Sequence, residues 1–256
     1  GKSEEIIRKN KEVAGAGYDF VKNNFKQDKF RIKAGTIKDA GTLVMNGNDA
    51  IALGAIRAGC KFYSAYPMSP STTIMNVIAQ YAQKFHIIVE QAEDEIAAVN
   101  MIIGASFTGV RAMTATSGGG FALMTEGLSL SAMTETPIVV VVAQRPAPAT
   151  GFPTRTAQAD LEFVLHAGHG EFARAVYTPG TIEEAFYVTI KAFNIAEKYQ
   201  IPVFIMTDQH LADSYRNIET FDLDKGKVQR YIISKDDSKN TKNYKRYQLT
   251  ESGISP

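Results

Sequence analysis

Between residues 43 and 208, short and continuously apolar runs alternate with stretches of helical length. This alternation limits the fold more than any single motif does. It predicts strands at 62–66, 87–90, 111–116, 138–143, 174–177 and 203–207, and helices at 48–58, 71–84, 94–107, 121–134 and 182–199. Strands that are apolar on both faces and separated by helices belong in a parallel sheet covered on both sides. The expected fold class is therefore α/β, a parallel sheet with helices on both faces. In such sheets ligands bind at the carboxyl ends of the strands, so the loops that follow each strand are where chemistry is to be sought.

The flanks read differently. Residues 1–42 hold a charged amphipathic helix over 1–30, with Ile6, Ile7, Val13, Tyr18, Phe20 and Val21 as its apolar positions, and then a linker. Residues 43–215 form the predicted domain. Residues 216–256 are polar, with eight Lys or Arg between Lys225 and Arg246, and suggest a linker or arm toward a missing C-terminal domain. The absence of an initiator methionine adds to the expectation of a fragment or a processed product. The longest purely apolar run, 138–143, is far short of the roughly 20 residues that cross a bilayer. A net charge of +1, with no basic stripe interleaved with aromatics, gives no footprint for nucleic acid. The expected partners therefore include neither membrane nor nucleic acid. One cysteine, Cys60, fits a cytoplasmic protein and excludes a disulfide framework. It also excludes a cluster of thiolate ligands, so any iron–sulfur centre would sit on another chain or segment.

Four of the predicted strand-to-helix loops carry the candidate chemistry. The first, Tyr66-Pro67-Met68-Ser69-Pro70-Ser71-Thr72, has two prolines that stiffen it and hydroxyls that can cap the next helix; a rigid capped turn explains it as readily as a site does. In the second, Gln91-Ala92-Glu93-Asp94-Glu95, acidic residues complement the positive end of a helix. Glu95, however, lies three and seven residues before Ala98 and Ile102, on an apolar face, and a buried carboxylate needs a partner. The third, Thr116-Ser117-Gly118-Gly119-Gly120, lets backbone approach a ligand, yet it matches neither a phosphate loop nor a dinucleotide fingerprint. The fourth, Gln144-Arg145 through Thr156, is long and rich in Pro, Gly and Thr. An arginine at its strand exit could grip a carboxylate bidentately or simply face solvent. His86, His166, His169 and His210 are scattered and suggest no catalytic pairing, and Asp208 reads as a cap or turn former.

Taken together, the motifs resemble those of 2-oxoacid:ferredoxin oxidoreductase alpha subunits. The likeness runs through Tyr66–Thr72, Glu93-Asp94-Glu95-Ile96-Ala97-Ala98, Gly104-Ala105-Ser106, Thr114–Gly118, Met133-Thr134-Glu135-Thr136-Pro137, and Gln144-Arg145 through Gly151-Phe152-Pro153-Thr154, over roughly residues 43–210. It implies the pyrimidine-binding fold of thiamine-diphosphate enzymes, in a chain where a gamma-type domain can precede this one. Glu95, nine residues before Gly104, is implied as the catalytic acid at N1′ of the aminopyrimidine, with Glu93 as the fallback. Protonation there favours the tautomer whose 4′-nitrogen can take the proton from thiazolium C2. The resemblance further implies that Arg145 binds the substrate carboxylate and Ser69 the 2-oxo group, while Pro67, Met68, Thr116, Ser117, Gly118 and Gly119 line the cofactor. Three positions depart from the family pattern: Met68 stands for Ile, Ser69 for Thr and Gly119 for Pro.

Neither a magnesium–diphosphate motif nor a metal-ligand cluster is found in the sequence. The implied partners are therefore a beta subunit carrying Mg²⁺, the diphosphate site and an iron–sulfur cluster, with ferredoxin, coenzyme A and a 2-oxo acid as reactants. The pyrimidine domain of an indolepyruvate oxidoreductase or a sulfopyruvate decarboxylase is an alternative, as is a non-catalytic assembly domain of the same fold.

Overall fold

The structure is a computed structural model and describes residues 3–25, 41–233 and 244–255. The chain divides into two compact units, Gly1–Ala40 and Gly41–Pro256. In the first, helix α1 (Glu4–Asn24) starts where the Ser3 side chain accepts from the Ile6 N–H, with Glu4 and Glu5 in its first turn. Ion pairs Arg8–Glu12 and Lys9–Glu5, one helical turn apart, run along its surface. Of the predicted 1–30 helix, residues 1–2 and 26–30 lie outside the described residues.

The second unit runs β1 (Thr42–Met45), α2 (Gly47–Arg57), β2 (Cys60–Ala65), α3 (Thr72–Phe85), β3 (Ile88–Gln91), α4 (Glu95–Phe107), β4 (Arg111–Thr116), α5 (Gly118–Leu123), α6 (Thr125–Met133), β5 (Ile138–Gln144), α7 (Leu161–His166), β6 (Ala175–Tyr177), α8 (Ile182–Tyr199), β7 (Pro202–Asp208), α9 (Gln209–Asp213) and β8 (Arg216–Glu219). Six strands form one parallel sheet in the order β3-β2-β4-β5-β7-β6. All six strands predicted from the apolar runs are present, within a few residues of their expected bounds.

Strand β5 shows why the sheet is buried on both faces. Val139 and Val141 join one hydrophobic core, with Ile51, Ile74, Ile78 and Phe193 from α2, α3 and α8. Ile138, Val140 and Val142 point the other way, into a second core with Val99, Ile102, Phe121, Leu128 and Val164 from α4, α5, α6 and α7. The side-chain period of two thus sends alternate valines into separate cores, and each fully buried side chain of this size contributes about 1.5–3 kcal/mol. Local signals set the helix bounds. Asn46 and Asp49 form a reciprocal capping box at α2, and Thr181 accepts from the Glu184 N–H at the start of α8. Helix α8 ends at Gln200 and α3 at His86, both in the left-handed region.

Two expectations are corrected. The helix predicted over 121–134 is two helices, α5 and α6, meeting at Met124; it starts at Gly118, so the glycines lie inside its first turn. The polar stretch after 215 is not uniformly a linker, because β8 pairs antiparallel with β1 from Thr42↔Glu219 to Met45↔Arg216. Further on, the chain is tied across the amino edge of the sheet. Arg111, buried at the start of β4, donates to Glu197 at 2.8 Å, to Gln229 O at 2.6 Å and to Ala58 O at 2.7 Å. Arg230 adds a second contact to Glu197 at 3.0 Å. Removing one member of a buried pair of this kind strands the other and costs about 3–5 kcal/mol. The stretch 216–231 is therefore anchored through Ile218, Gln229 and Arg230, although most of its residues remain exposed. Residues 234–243 of the basic stretch lie outside the described residues.

Candidate active site at the carboxyl edge of the sheet

Because the strands are parallel, the loops after β3, β2, β4 and β5 leave from one edge and from four adjacent positions in the sheet. All four sequence-predicted loops meet there. Glu95 is the first residue of α4 and only 3% exposed. It is not needed as a cap, since Asp94 fills that role by accepting the Ala97 N–H at 2.7 Å. Ala98 and Ile102, on the same face, are fully buried, as the spacing predicts. Glu95 Oε1 is buried without a hydrogen-bond partner among the described residues. Glu93, in contrast, is exposed.

The third loop packs directly on that carboxyl. A Cβ at Gly120 would collide with Glu95 Oε1 and Thr116 Oγ1, so only glycine lets α5 start this close. Thr116 Oγ1 reaches Met68 Sδ at 3.8 Å, linking this turn to the first loop. Ser117 is buried, with its hydroxyl unpartnered among the described residues. Gly118 is half-buried and Gly119 exposed, as are Pro67 and Ser69 respectively.

Arg145 leaves the end of β5 only 7% exposed and donates from one guanidinium nitrogen to Ser69 O at 2.7 Å. It forms no ion pair among the described residues. A buried guanidinium without a counter-ion attracts an anion, because desolvation removes the screening that water would provide. Desolvation also pushes the Glu95 carboxyl above its usual range. A hydrogen bond from its own backbone N–H opposes the rise, Asp94 adds to it, and the positive charge of Arg145 pulls the other way. The edge thus holds an acid biased toward keeping its proton, close enough to a cation to feel its field.

Sequence reading missed two buried residues here. Asp160, returned by the long fourth loop, donates its backbone N–H to Gln144 Oε1 at 3.0 Å, while Gln144 Nε2 donates to Thr207 O. Its carboxyl packs on Gly118, where a Cβ would lie 2.6 Å from Oδ2, and burial pushes its pKa up. Asn48, fully buried on α2, donates to Pro70 O and Thr73 Oγ1. No local signal could have found either, because both matter through partners distant in sequence. The hydroxyls of the first loop are expected to cap α3, but Ser71, at the cap position, makes no such bond and turns its hydroxyl back to Met68 O at 2.7 Å. Asp208 does cap the short helix after β7, accepting the Leu211 N–H at 2.8 Å.

The candidate side chains gather at the carboxyl edge, whereas a cavity of about 420 Å³ lies at the amino edge, lined by Gly109, Pro137, Glu197 and Ile232 among others. Among the described residues no group of three His, Cys, Asp or Glu is placed to hold a metal, and no helix is long and apolar enough to cross a membrane. The residues present fit the polar edge of a flat, nitrogen-bearing ring. Glu95 Oε1 and Ser117 Oγ lack partners among the described residues, and the missing side chain at Gly120 is what leaves room for that carboxyl.

Fold and edge together define an α/β domain of the parallel-sheet kind that binds ligands at the carboxyl ends of its strands. The chain belongs to the family described as "Pyruvate flavodoxin/ferredoxin oxidoreductase, thiamine diP-bdg", whose model matches residues 53–253. It is 42% identical over 99% of its length to the alpha subunit of 2-oxoacid:ferredoxin oxidoreductase 1 from Sulfurisphaera tokodaii, covering 41% of that protein. It is 46% identical over 64% of its length to the 2-oxoglutarate synthase subunit KorA of Methanothermobacter thermautotrophicus, covering 44% of it. The solved 2-oxoglutarate:ferredoxin oxidoreductase from Magnetococcus marinus, with 2-oxoglutarate, coenzyme A and succinyl-CoA bound, superposes with a TM-score of 0.83 at 38% identity; 99% of this chain and 44% of that one are covered. The chain thus spans about two-fifths of the length of these relatives.

Proposed function

We propose that this chain supplies the pyrimidine side of the active site in a thiamine-diphosphate-dependent 2-oxoacid:ferredoxin oxidoreductase. The reaction is the oxidative decarboxylation of a 2-oxo acid, with electrons passing to ferredoxin and the acyl group to coenzyme A. The single observation that carries this reading is Glu95: a buried carboxyl at the carboxyl edge, with one oxygen unpartnered and its pKa pushed up.

When bound, thiamine diphosphate supplies the carbon nucleophile and the electron sink for decarboxylation. Glu95 holds a proton at the N1′ edge of the pyrimidine, a task favoured by the desolvation that keeps it protonated. Thr116, Ser117, Gly118 and Gly119 line that ring, with Pro67 and Met68 closing the side formed by the first loop. Arg145 grips the substrate carboxylate with the N–H groups that Ser69 O does not engage, and its geometry suits a bidentate pair. Ser69 donates its hydroxyl to the 2-oxo group. The smaller hydroxyl side chain and Met68 leave a pocket of different shape from one built with Thr and Ile. Mg²⁺, the diphosphate site and the iron–sulfur cluster belong to a beta partner on this reading. In support, the only thiol of these 256 residues, Cys60, is buried and pushed up to about 12 by desolvation, so it is no ready ligand. That lone reduced thiol also favours a cytoplasmic location.

The test is an assay of pyruvate and 2-oxoglutarate oxidation with and without the co-expressed partner. The chain by itself turns over neither acid, and the assembly turns over at least one. Turnover by the lone chain, or an inactive but fully assembled complex, contradicts the proposal.

A further inference from the structure

We infer that Asn48 is a positioning residue for the 2-oxo acid, holding the segment that presents Ser69. This rests on the roles given above to Ser69 and Arg145. Asn48 is the second residue of α2 and is 0% exposed. Its Nδ2 donates to Pro70 O at 2.7 Å and to Thr73 Oγ1 at 2.6 Å. The preceding carbonyl, Ser69 O, takes the Arg145 guanidinium at 2.7 Å. Two successive carbonyls are thus fixed by donors from two separate elements, α2 and the end of β5.

Pro67 and Pro70 have no N–H to donate. The segment's internal bonds run from the Ser71 backbone and hydroxyl to Met68 O and close a turn around Ser69 and Pro70. Apart from the contact of Thr116 Oγ1 with Met68 Sδ, the bonds from Asn48 and Arg145 are what fix that turn to the rest of the fold. The anchor, in contrast, cannot drift. Asn46 and Asp49 cap the start of α2 reciprocally, and a Cβ at Gly47 would lie 2.5 Å from Leu211 O, so the helix start is seated against α9. Asn48 Oδ1 has no partner among the described residues, so the side chain acts as a donor. If that donor is lost, Ser69 and Arg145 no longer share one geometry, while Glu95, on another loop, is untouched. The defect should therefore fall on the binding of the 2-oxo acid and not on the proton-handling step.

Asn48→Leu keeps about the same shape and has no group that can donate. Asn48→Ala removes the amide without adding charge and serves if the first variant fails to fold. In the assembled enzyme either variant should raise the KM for pyruvate or 2-oxoglutarate, whichever the wild type uses, about tenfold, with kcat within about twofold. The dissociation constant of thiamine diphosphate, measured by calorimetry, should rise much less than the KM does, since only Pro67 and Met68 of the cofactor's lining lie on the loosened segment. Backbone hydrogen exchange across residues 66–72 should quicken, and that across 117–123 should not. A defect confined to kcat, or one larger in thiamine diphosphate affinity than in KM, overturns the inference. So does unchanged exchange across 66–72, which needs no turnover. An assembled wild-type enzyme that oxidises neither acid instead defeats the functional reading, and the exchange experiment still decides whether Asn48 holds the segment.

Discussion

Replacing Glu95 with Gln in the assembled enzyme should lower turnover about a hundredfold to ten-thousandfold, the span associated with losing a positioned acid or base. Glu93→Gln should leave it near the wild-type rate, because Glu93 is exposed while Glu95 is buried with an unpartnered oxygen. Steady-state kinetics on the two variants checks this; equal losses, or the reverse order, would transfer the role to the other carboxyl. A second signature appears in stability. The folded state raises the pKa of Glu95 through desolvation, so the unfolded chain releases this proton at lower pH than the folded one does. Wild-type stability therefore falls as pH rises from the ordinary carboxylate value to the raised folded value, and a residue that does not titrate escapes that loss. Denaturant midpoints should place Glu95→Gln above the wild type at about pH 8, with the gap closing at about pH 4.

Gly120→Ala should be nearly as damaging without touching a titratable group. The added methyl would collide with Thr116 Oγ1 and Glu95 Oε1 and come within 2.7 Å of Glu95 Cγ, so the carboxyl has to move. Overpacking of this sort costs about 1–3 kcal/mol in stability. The larger effect is on position, since even a small misplacement of a catalytic group can cost about a hundredfold in rate. Gly104→Ala is the control. Gly104 is exposed on α4 with nothing near its would-be Cβ, and alanine favours a helix interior. Turnover and thiamine diphosphate affinity measured on both should separate them: Gly120→Ala loses both, and Gly104→Ala keeps both. Retained activity in Gly120→Ala would mean that the glycine turn does not set the place of the acid.

Much of this architecture was legible in the sequence because it is local. Runs such as Ile138-Val139-Val140-Val141-Val142 can be strands only where both faces are covered, and the sheet follows from their alternation with helices. Glu95 could be singled out because its spacing to Ala98 and Ile102 is a property of one helix, and all three are buried. What remained hidden is non-local or runs against composition. Arg145 and Ser69 are 76 residues apart, and the guanidinium bond to Ser69 O has no trace in either motif. Asn48 looks like any polar residue near a helix start until Pro70 is brought beside it. Asp160 reaches Gly118 only because a long loop folds back through Gln144. Strand β8, Arg-Asn-Ile-Glu, buries only Ile218, so it shows too little apolar pattern to be seen without β1. The division of the helix at Met124 was equally invisible, since both halves carry the apolar residues of one continuous pattern.

The most direct measurement is a structure of the assembled enzyme with thiamine diphosphate bound. Glu95 Oε1 within hydrogen-bond reach of the pyrimidine ring nitrogen, with Gly120 packed behind it, is the expected result. A pyrimidine ring whose nitrogen meets some other group, while that oxygen stays without a partner, would contradict the central claim.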